Sequence, residues 1–306
     1  MRNQTKRDTS RKPNWLKVRL PTGERLERFN SIKETARYLR LSTVCEEARC
    51  PNQSECWGGG TATFMVMGSV CTRGCRFCAV DTSRKAPPLD VEEPKNIAGT
   101  ISQMKLDYVV LTSVNRDDLP DQGATHFASC ITETQNAAPD TMVEVLVPDF
   151  QGREDLVDIM LSAKPSVVAH NIETVRRLTA AVRDPRAGYD QSLDVLRHMK
   201  KRGFYTKSSI MVGVGETKEE VIETMYDLIS VGVDFLTIGQ YLRPTEKHLN
   251  VHEFITPEEF EEYQRLGDDM GFASVASGPL VRSSYKAGEL FIRRHIKRKN
   301  QTGATG

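Results

Sequence analysis

No run of about 18 apolar residues occurs anywhere in the chain, so nothing in it reads as a membrane-spanning helix. The opening MRNQTKRDTSRKPNW lacks the apolar core of a secretory signal. It is also short, carries Asp8 and shows no amphipathic period, which argues against a transit peptide. An excess of one charge is missing too. The 42 Lys and Arg against 41 Asp and Glu leave a formal net charge of +1, so the molecule as a whole has no general attraction for nucleic acid. The expectation is a cytoplasmic protein with neither a membrane nor a nucleic-acid partner. Positive charge is instead local: Arg293, Arg294, Lys297, Arg298 and Lys299 crowd the C-terminal tail. That tail reads either as a solvated segment or as a docking surface for an acidic protein.

Paired CxxC knuckles and an HxxxH partner are absent as well, which makes a structural zinc site a weak explanation of the cysteines that are present. Six of the seven cysteines fall between positions 45 and 78, and only Cys130 lies outside. In a reducing compartment, clustered thiols bind metal more often than they pair. They form two triplets. Cys45, Cys50 and Cys56 have the spacing Cx4Cx5C, and Cys71, Cys75 and Cys78 have the spacing Cx3Cx2C. Soft thiolates in threes suit a four-iron cluster with one iron left without a cysteine, open to a bound molecule. Cys130 falls in a helical stretch and reads as a small buried hydrophobe. His126, His198, His248 and His252 have no metal spacing among them.

Beyond the cysteines, β-rich runs alternate with stretches of helical period. Strands are predicted at 61–68, 107–113, 142–147, 166–171, 205–212 and 234–239. Helices are predicted near 91–105, 121–137, 153–163, 189–201, 217–231 and 257–270, with a short one at 31–40. Thr217 with Glu220 and Thr256 with Glu259 have capping-box spacing, and Pro257 takes the first helical position. This alternation predicts an α/β fold, a (βα)6 partial barrel with a parallel sheet, whose functional residues gather at the C-terminal strand ends. Three regions are expected: an extension over 1–60 with the first triplet, the barrel over 61–255, and a C-terminal helix, RSSY segment and basic tail over 256–306. The GGG at 58–60 reads as a flexible entry to the first strand.

The CTRGCRFC loop, with Phe77 before its last cysteine and a strand leading into it, resembles the signature of the radical S-adenosylmethionine (SAM) superfamily. The Cx4Cx5C triplet, VNRDDLPDQGA, HNIETV, MVGVGE, QYLRPT and PLVRSSYKAGE together resemble the lipoyl synthase family from about residue 13 to 290. That resemblance implies two [4Fe-4S] clusters. One, on Cys71, Cys75 and Cys78, would cleave S-adenosylmethionine reductively. The other, on Cys45, Cys50, Cys56 and Ser284, with Ser283 as the fallback, would be an auxiliary cluster that donates sulfur.

By the same resemblance Asn171, Glu173, Gly213, Gly215 and Arg243 are cofactor-binding candidates. Taken alone, GVGE is equally a glycine turn, Asn171 and Glu173 an ordinary helix cap, and RSSY a polar turn before a helix near 286–296. Arg116, Asp117 and Asp118 read either as groups handling cofactor or substrate lysine or as a turn of solvated charges. The implied reaction places sulfur at carbons 6 and 8 of an octanoyl-lysine on a lipoyl carrier, an E2 lipoyl domain or the glycine cleavage H protein. The implied partners are a ferredoxin or flavodoxin reductant and an iron-sulfur carrier. The alternatives are another sulfur-inserting radical enzyme, such as a biotin synthase or methylthiotransferase, and a non-enzymatic iron-sulfur carrier. The last fits poorly with triplets, since carriers close their clusters with four cysteines.

Overall fold

The apolar runs become parallel strands in a computed structural model of the chain, which describes residues 11–17, 21–38, 43, 50, 52–58, 61–284 and 292. Two helices come first, α1 (Glu24–Tyr38) and α2 (Gln53–Gly58). Seven strand-bearing units follow: β1 (Thr61–Val66), α3 (Glu93–Met104), β2 (Tyr108–Ser113), α4 (Ala124–Ala137), β3 (Met142–Leu146), α5 (Glu154–Leu161), β4 (Val167–Ala169), α6 (Tyr189–Lys201), β5 (Thr206–Val212), α7 (Lys218–Ser230), β6 (Phe235–Gln240), α8 (Pro257–Met270) and β7 (Ser274–Gly278). The strands pair in chain order and every pairing is parallel, so all seven C-terminal ends share one rim. Continuous burial of β1 and β6 is the mark of a parallel sheet covered on both faces.

The six predicted βα units are present, and both capping boxes form, with Thr217 and Thr256 each accepting from the backbone N–H three residues on. The first helix begins earlier than its predicted start at 31. A seventh strand, β7, was not foreseen. It lies within the stretch expected as a C-terminal extension and pairs with β6 from Phe235–Ser274 to Gly239–Gly278. Gly58 ends α2 rather than loosening an entry, and its backbone packs so closely on Arg25 that a Cβ would lie 2.8 Å from that carbonyl oxygen. Among the described residues no helix is long and apolar enough to cross a membrane.

Strand alternation sorts the side chains between the helical layer and the barrel interior. On β5, Ile210 and Val212 pack with Met225 and Leu228 of α7. Lys207 points the other way, and its ammonium reaches both oxygens of Glu144 on β3 at 2.8 and 2.9 Å, with Tyr108 donating to the same carboxylate at 2.5 Å. Since β4 lies between β3 and β5, this bond spans the concave face and shows the curvature directly. Ile292 clusters with Tyr108, Val110, Val167 and Phe235, three of them the first residues of their strands, so it lies toward the end opposite the strand-end rim.

Lys207 and Glu144 are 2% and 1% exposed, so removing one partner strands a buried charge. Lys207→Met is therefore expected to destabilise the fold by about 3–5 kcal/mol. Changing Glu144 to Gln in the same chain should recover part of that loss, as read by denaturant unfolding.

Candidate functional site

The Cx3Cx2C loop leaves β1 at the rim, and backbone N–H groups point at its sulfurs. Cys71 Sγ accepts from Arg73 at 3.4 Å and from Asn115, after β2, at 3.3 Å. Cys75 Sγ accepts from Asp184, before α6, at 3.3 Å. Burial pushes the Cys75 thiol up to about 11 and the Cys78 thiol up to about 12, while the Asp184 and Val80 N–H groups pull them back and the neighbouring cysteines add to the rise. Thiols held this high are poor free nucleophiles, and a bound metal is the partner that makes such groups deprotonate outright. No disulfide joins the described cysteines. Three half-buried thiols on one short loop, with N–H donors at their sulfurs, fit a cluster of the [4Fe-4S] type.

The loop is held by ion pairs that sequence reasoning missed. Arg73 is 2% exposed and divides its guanidinium between Asp117 (2.8 Å) and Asp149 (2.8 Å), after β2 and β3. Burial opposes charge on Asp117, yet Arg73 and the Thr72 hydroxyl hold it well below the usual carboxylate range. Asp117, 6% exposed, is thus not part of a solvated turn. Arg116 pairs with Asp118 at 2.8 Å and is itself buried. From the far side of the rim, His248 Nε2 lies 2.9 Å from the Cys78 carbonyl, and Leu249 donates to the Arg76 carbonyl.

Glu173 carries the clearest sign of a binding role. Its φ is +68°, a left-handed conformation that costs a non-glycine residue about 1–3 kcal/mol and persists where the surroundings impose it. Its backbone is bonded to Ser209 and Met211 of β5, and Asn171 donates to its carboxylate at 3.1 Å. Burial raises the Glu173 carboxyl, Arg183 and Asn171 oppose the rise, and its charge in turn raises Cys75 and Cys78. A half-buried carboxylate is therefore close enough to act electrostatically on two of the three cysteines.

The other cofactor candidates are engaged with protein. Gly213 has φ +95°, and a Cβ there would meet Gln240 Nε2 at 2.2 Å and the Glu253 carbonyl at 2.4 Å. Gly215 has φ +113°, and a Cβ there would lie 3.6 Å from the His252 ring. The glutamate of GVGE closes its own turn, accepting from the Gly213 and Val214 N–H groups. Arg243 spends its guanidinium on the His248 carbonyl (3.0 Å) and the Glu246 carbonyl, bracing the loop that rests on the cysteine loop.

Of the first triplet, Cys45 lies outside the described residues. Cys50 and Cys56 flank and occupy α2, and the Asn52 side chain donates to the Leu280 carbonyl in the segment after β7. A Cβ on Gly239 of β6 would collide with the Val281 carbonyl at 2.1 Å, so only glycine lets that segment lie across the strand end. Burial raises the Cys50 thiol, and the Asn52 N–H and the Arg282 charge lower it, so Cys50 and the RSS stretch are neighbours. Ser283 and Ser284 are both half-buried. Gln53 Nε2 and Trp57 Nε1 are buried donors with no hydrogen-bond partner among the described residues. Such orphaned donors fit the acceptor sulfurs of a cluster.

Cys130 is fully buried in the core. Together with Glu93 and His126 it forms a trio whose ligand atoms lie within 4.8 Å of one another. Glu93 Oε2 already accepts from the Met67 N–H at 2.8 Å and contacts His126 Nε2 at 2.6 Å, which reads as a clamp between α3, α4 and the end of β1.

A family model described as the radical SAM superfamily matches residues 65–228, and one described as the N-terminal domain of lipoyl synthase of the radical SAM family matches residues 1–50. The lipoyl synthase of Myxococcus xanthus (strain DK1622) is 57% identical over 294 residues, 95% of this chain and 97% of that protein. The chloroplastic lipoyl synthase of Arabidopsis thaliana is 53% identical over 294 residues, 94% of this chain and 74% of the relative. Among solved structures, the FeFe-hydrogenase maturase HydG from Carboxydothermus hydrogenoformans superposes with a TM-score of 0.54 at 12% identity, covering 90% of this chain and 84% of that one. Methylornithine synthase gives 0.54 at 15% identity, covering 83% and 75%. These two likenesses carry the fold alone.

Proposed function

The chain belongs to the lipoyl synthase family of radical SAM enzymes, and we propose that it inserts sulfur at carbons 6 and 8 of an octanoyl group on the lysine of a lipoyl carrier. The observation that carries this reading is that two separate cysteine groups are attached to one rim. The Cys71, Cys75 and Cys78 loop follows β1, while Cys50 adjoins the Arg282–Ser284 segment that follows β7. When bound, a four-iron cluster and S-adenosylmethionine supply one-electron chemistry able to reach methylene and methyl C–H bonds that no acid or base can ionise.

The chain's own residues bind, orient and exclude. Cys71, Cys75 and Cys78 hold the cluster. Glu173, steadied by Asn171, would offer a half-buried carboxylate to the positively charged cofactor. Gly213, Gly215 and Arg243 shape the neighbouring rim loops that border the cofactor. Cys45, Cys50, Cys56 and Ser284 would hold the auxiliary cluster, which would supply the sulfur, with Ser284 the harder and weaker ligand. The extension over 1–60 serves to bring that cluster to the barrel mouth. A ferredoxin or flavodoxin as electron donor, an iron-sulfur carrier for rebuilding, and a cytoplasmic setting complete the proposal.

Anaerobic reconstitution followed by S-adenosylmethionine, dithionite and an octanoylated carrier domain tests it. A carrier heavier by two sulfurs is expected, whereas methionine release with an unchanged carrier would remove the sulfur-insertion reading. Glu173→Gln keeps the side chain's shape and removes its charge. It is expected to weaken S-adenosylmethionine binding about 10–100-fold, the loss of a hydrogen bond to a charged group, as measured by equilibrium dialysis.

A further inference from the structure

The geometry points to Asp184 as a positioning residue that sets the reduction potential of the Cys71, Cys75 and Cys78 cluster, an assignment that rests on those cysteines being its ligands. Asp184 is 110 positions from Gly74 in sequence, yet its Oδ2 accepts the Gly74 N–H at 2.9 Å. Its carboxylate also takes the Arg186 N–H (3.0 Å), Nε (2.8 Å) and Nη2 (3.1 Å). Arg186 Nη2 donates onward to the Thr72 carbonyl at 2.7 Å, and its Nη1 lies 3.3 Å from Asp117. Carboxylate and guanidinium therefore grip the cysteine loop at 72 and 74, on either side of Arg73, which is itself fixed to Asp117 and Asp149. With the loop held this way, the Asp184 main-chain N–H comes 3.3 Å from Cys75 Sγ.

Two influences of opposite sign follow. A cluster gains negative charge on reduction, so an N–H aimed at a ligating sulfur favours the reduced form and raises the potential. A nearby carboxylate charge disfavours it and lowers the potential. If Asp184 acts by positioning, removing its side chain lowers the potential, because the loop drifts from the N–H. If it acts only as a charge, removal raises it.

The test uses the full chain carrying Cys50→Ala and Cys56→Ala, so that a single cluster remains, with the midpoint read by EPR-monitored titration. Asp184→Ala is expected to shift the reduction equilibrium about tenfold toward the oxidised form, about 59 mV for one electron. Asp184→Asn, which keeps an acceptor for Gly74, should restore most of that shift. An unchanged or raised potential in Asp184→Ala overturns the assignment. Should Asp184→Ala hold no iron, Asp184→Glu carries the test, since it keeps the charge and moves the carboxylate away from the Gly74 N–H: a lowered potential supports positioning and an unchanged one refutes it. A background chain that binds no cluster at all, seen before any Asp184 variant is made, overturns the three-cysteine reading and this assignment with it.

Discussion

Cys75→Ala is expected to release no methionine from S-adenosylmethionine and to insert no sulfur, a loss of more than about a thousandfold, since a barrier only about 4 kcal/mol higher already has that effect. Cys75 is where the site's contacts converge. Its sulfur accepts the Asp184 N–H, it neighbours the half-buried Glu173, and Gly74 beside it is anchored to the Asp184 carboxylate. Removing that sulfur takes away one of three ligands and leaves no adjacent side chain of equal softness to replace it. Iron per chain should fall from about eight to about four, because the first triplet and Ser284 are untouched. Methionine release by chromatography, iron by colorimetry and the carrier's mass check the three parts separately.

Cys50→Ala is expected to split those activities. Cofactor cleavage should persist within a few fold of the parent chain, while sulfur transfer to the carrier falls below detection, again more than about a thousandfold. The reason is spatial. Cys50 belongs to the group formed by α2 and the 280–284 segment, which the Asn52 side chain bonds at the Leu280 carbonyl and which lies close across Gly239 at the end of β6. Ser284→Ala should follow Cys50→Ala in kind, with a larger loss than Ser283→Ala. The opposite ranking would move the ligand to Ser283. A Cys50 variant that also stops cofactor cleavage would show that the two cysteine groups do not act separately.

Much of this was readable in the sequence because the signals were local. The apolar runs at 108–113 and 235–240 are long enough to declare parallel strands, and the threonines at 217 and 256 declare their helix starts through a glutamate three residues on. β7 escaped because SVASG is small, polar and only partly buried, with no alternation to distinguish it from a loop after Gly271. The cage around the cysteine loop escaped for a different reason. Arg73, Asp117, Asp149, Asp184 and Arg186 come from four separate loops, and each alone looks like a solvated charge. The only hint was that Asp117 and Asp149 follow strand ends.

One turnover with isotopically labelled clusters tests the central claim most directly. The protein is rebuilt with heavy-isotope sulfide, freed of excess sulfide, and given one equivalent of octanoylated carrier with S-adenosylmethionine and reductant. The account predicts a carrier bearing two heavy sulfur atoms, and none from the same experiment with Cys50→Ala. A product whose sulfur is light, or one still formed by the Cys50 variant, would contradict it.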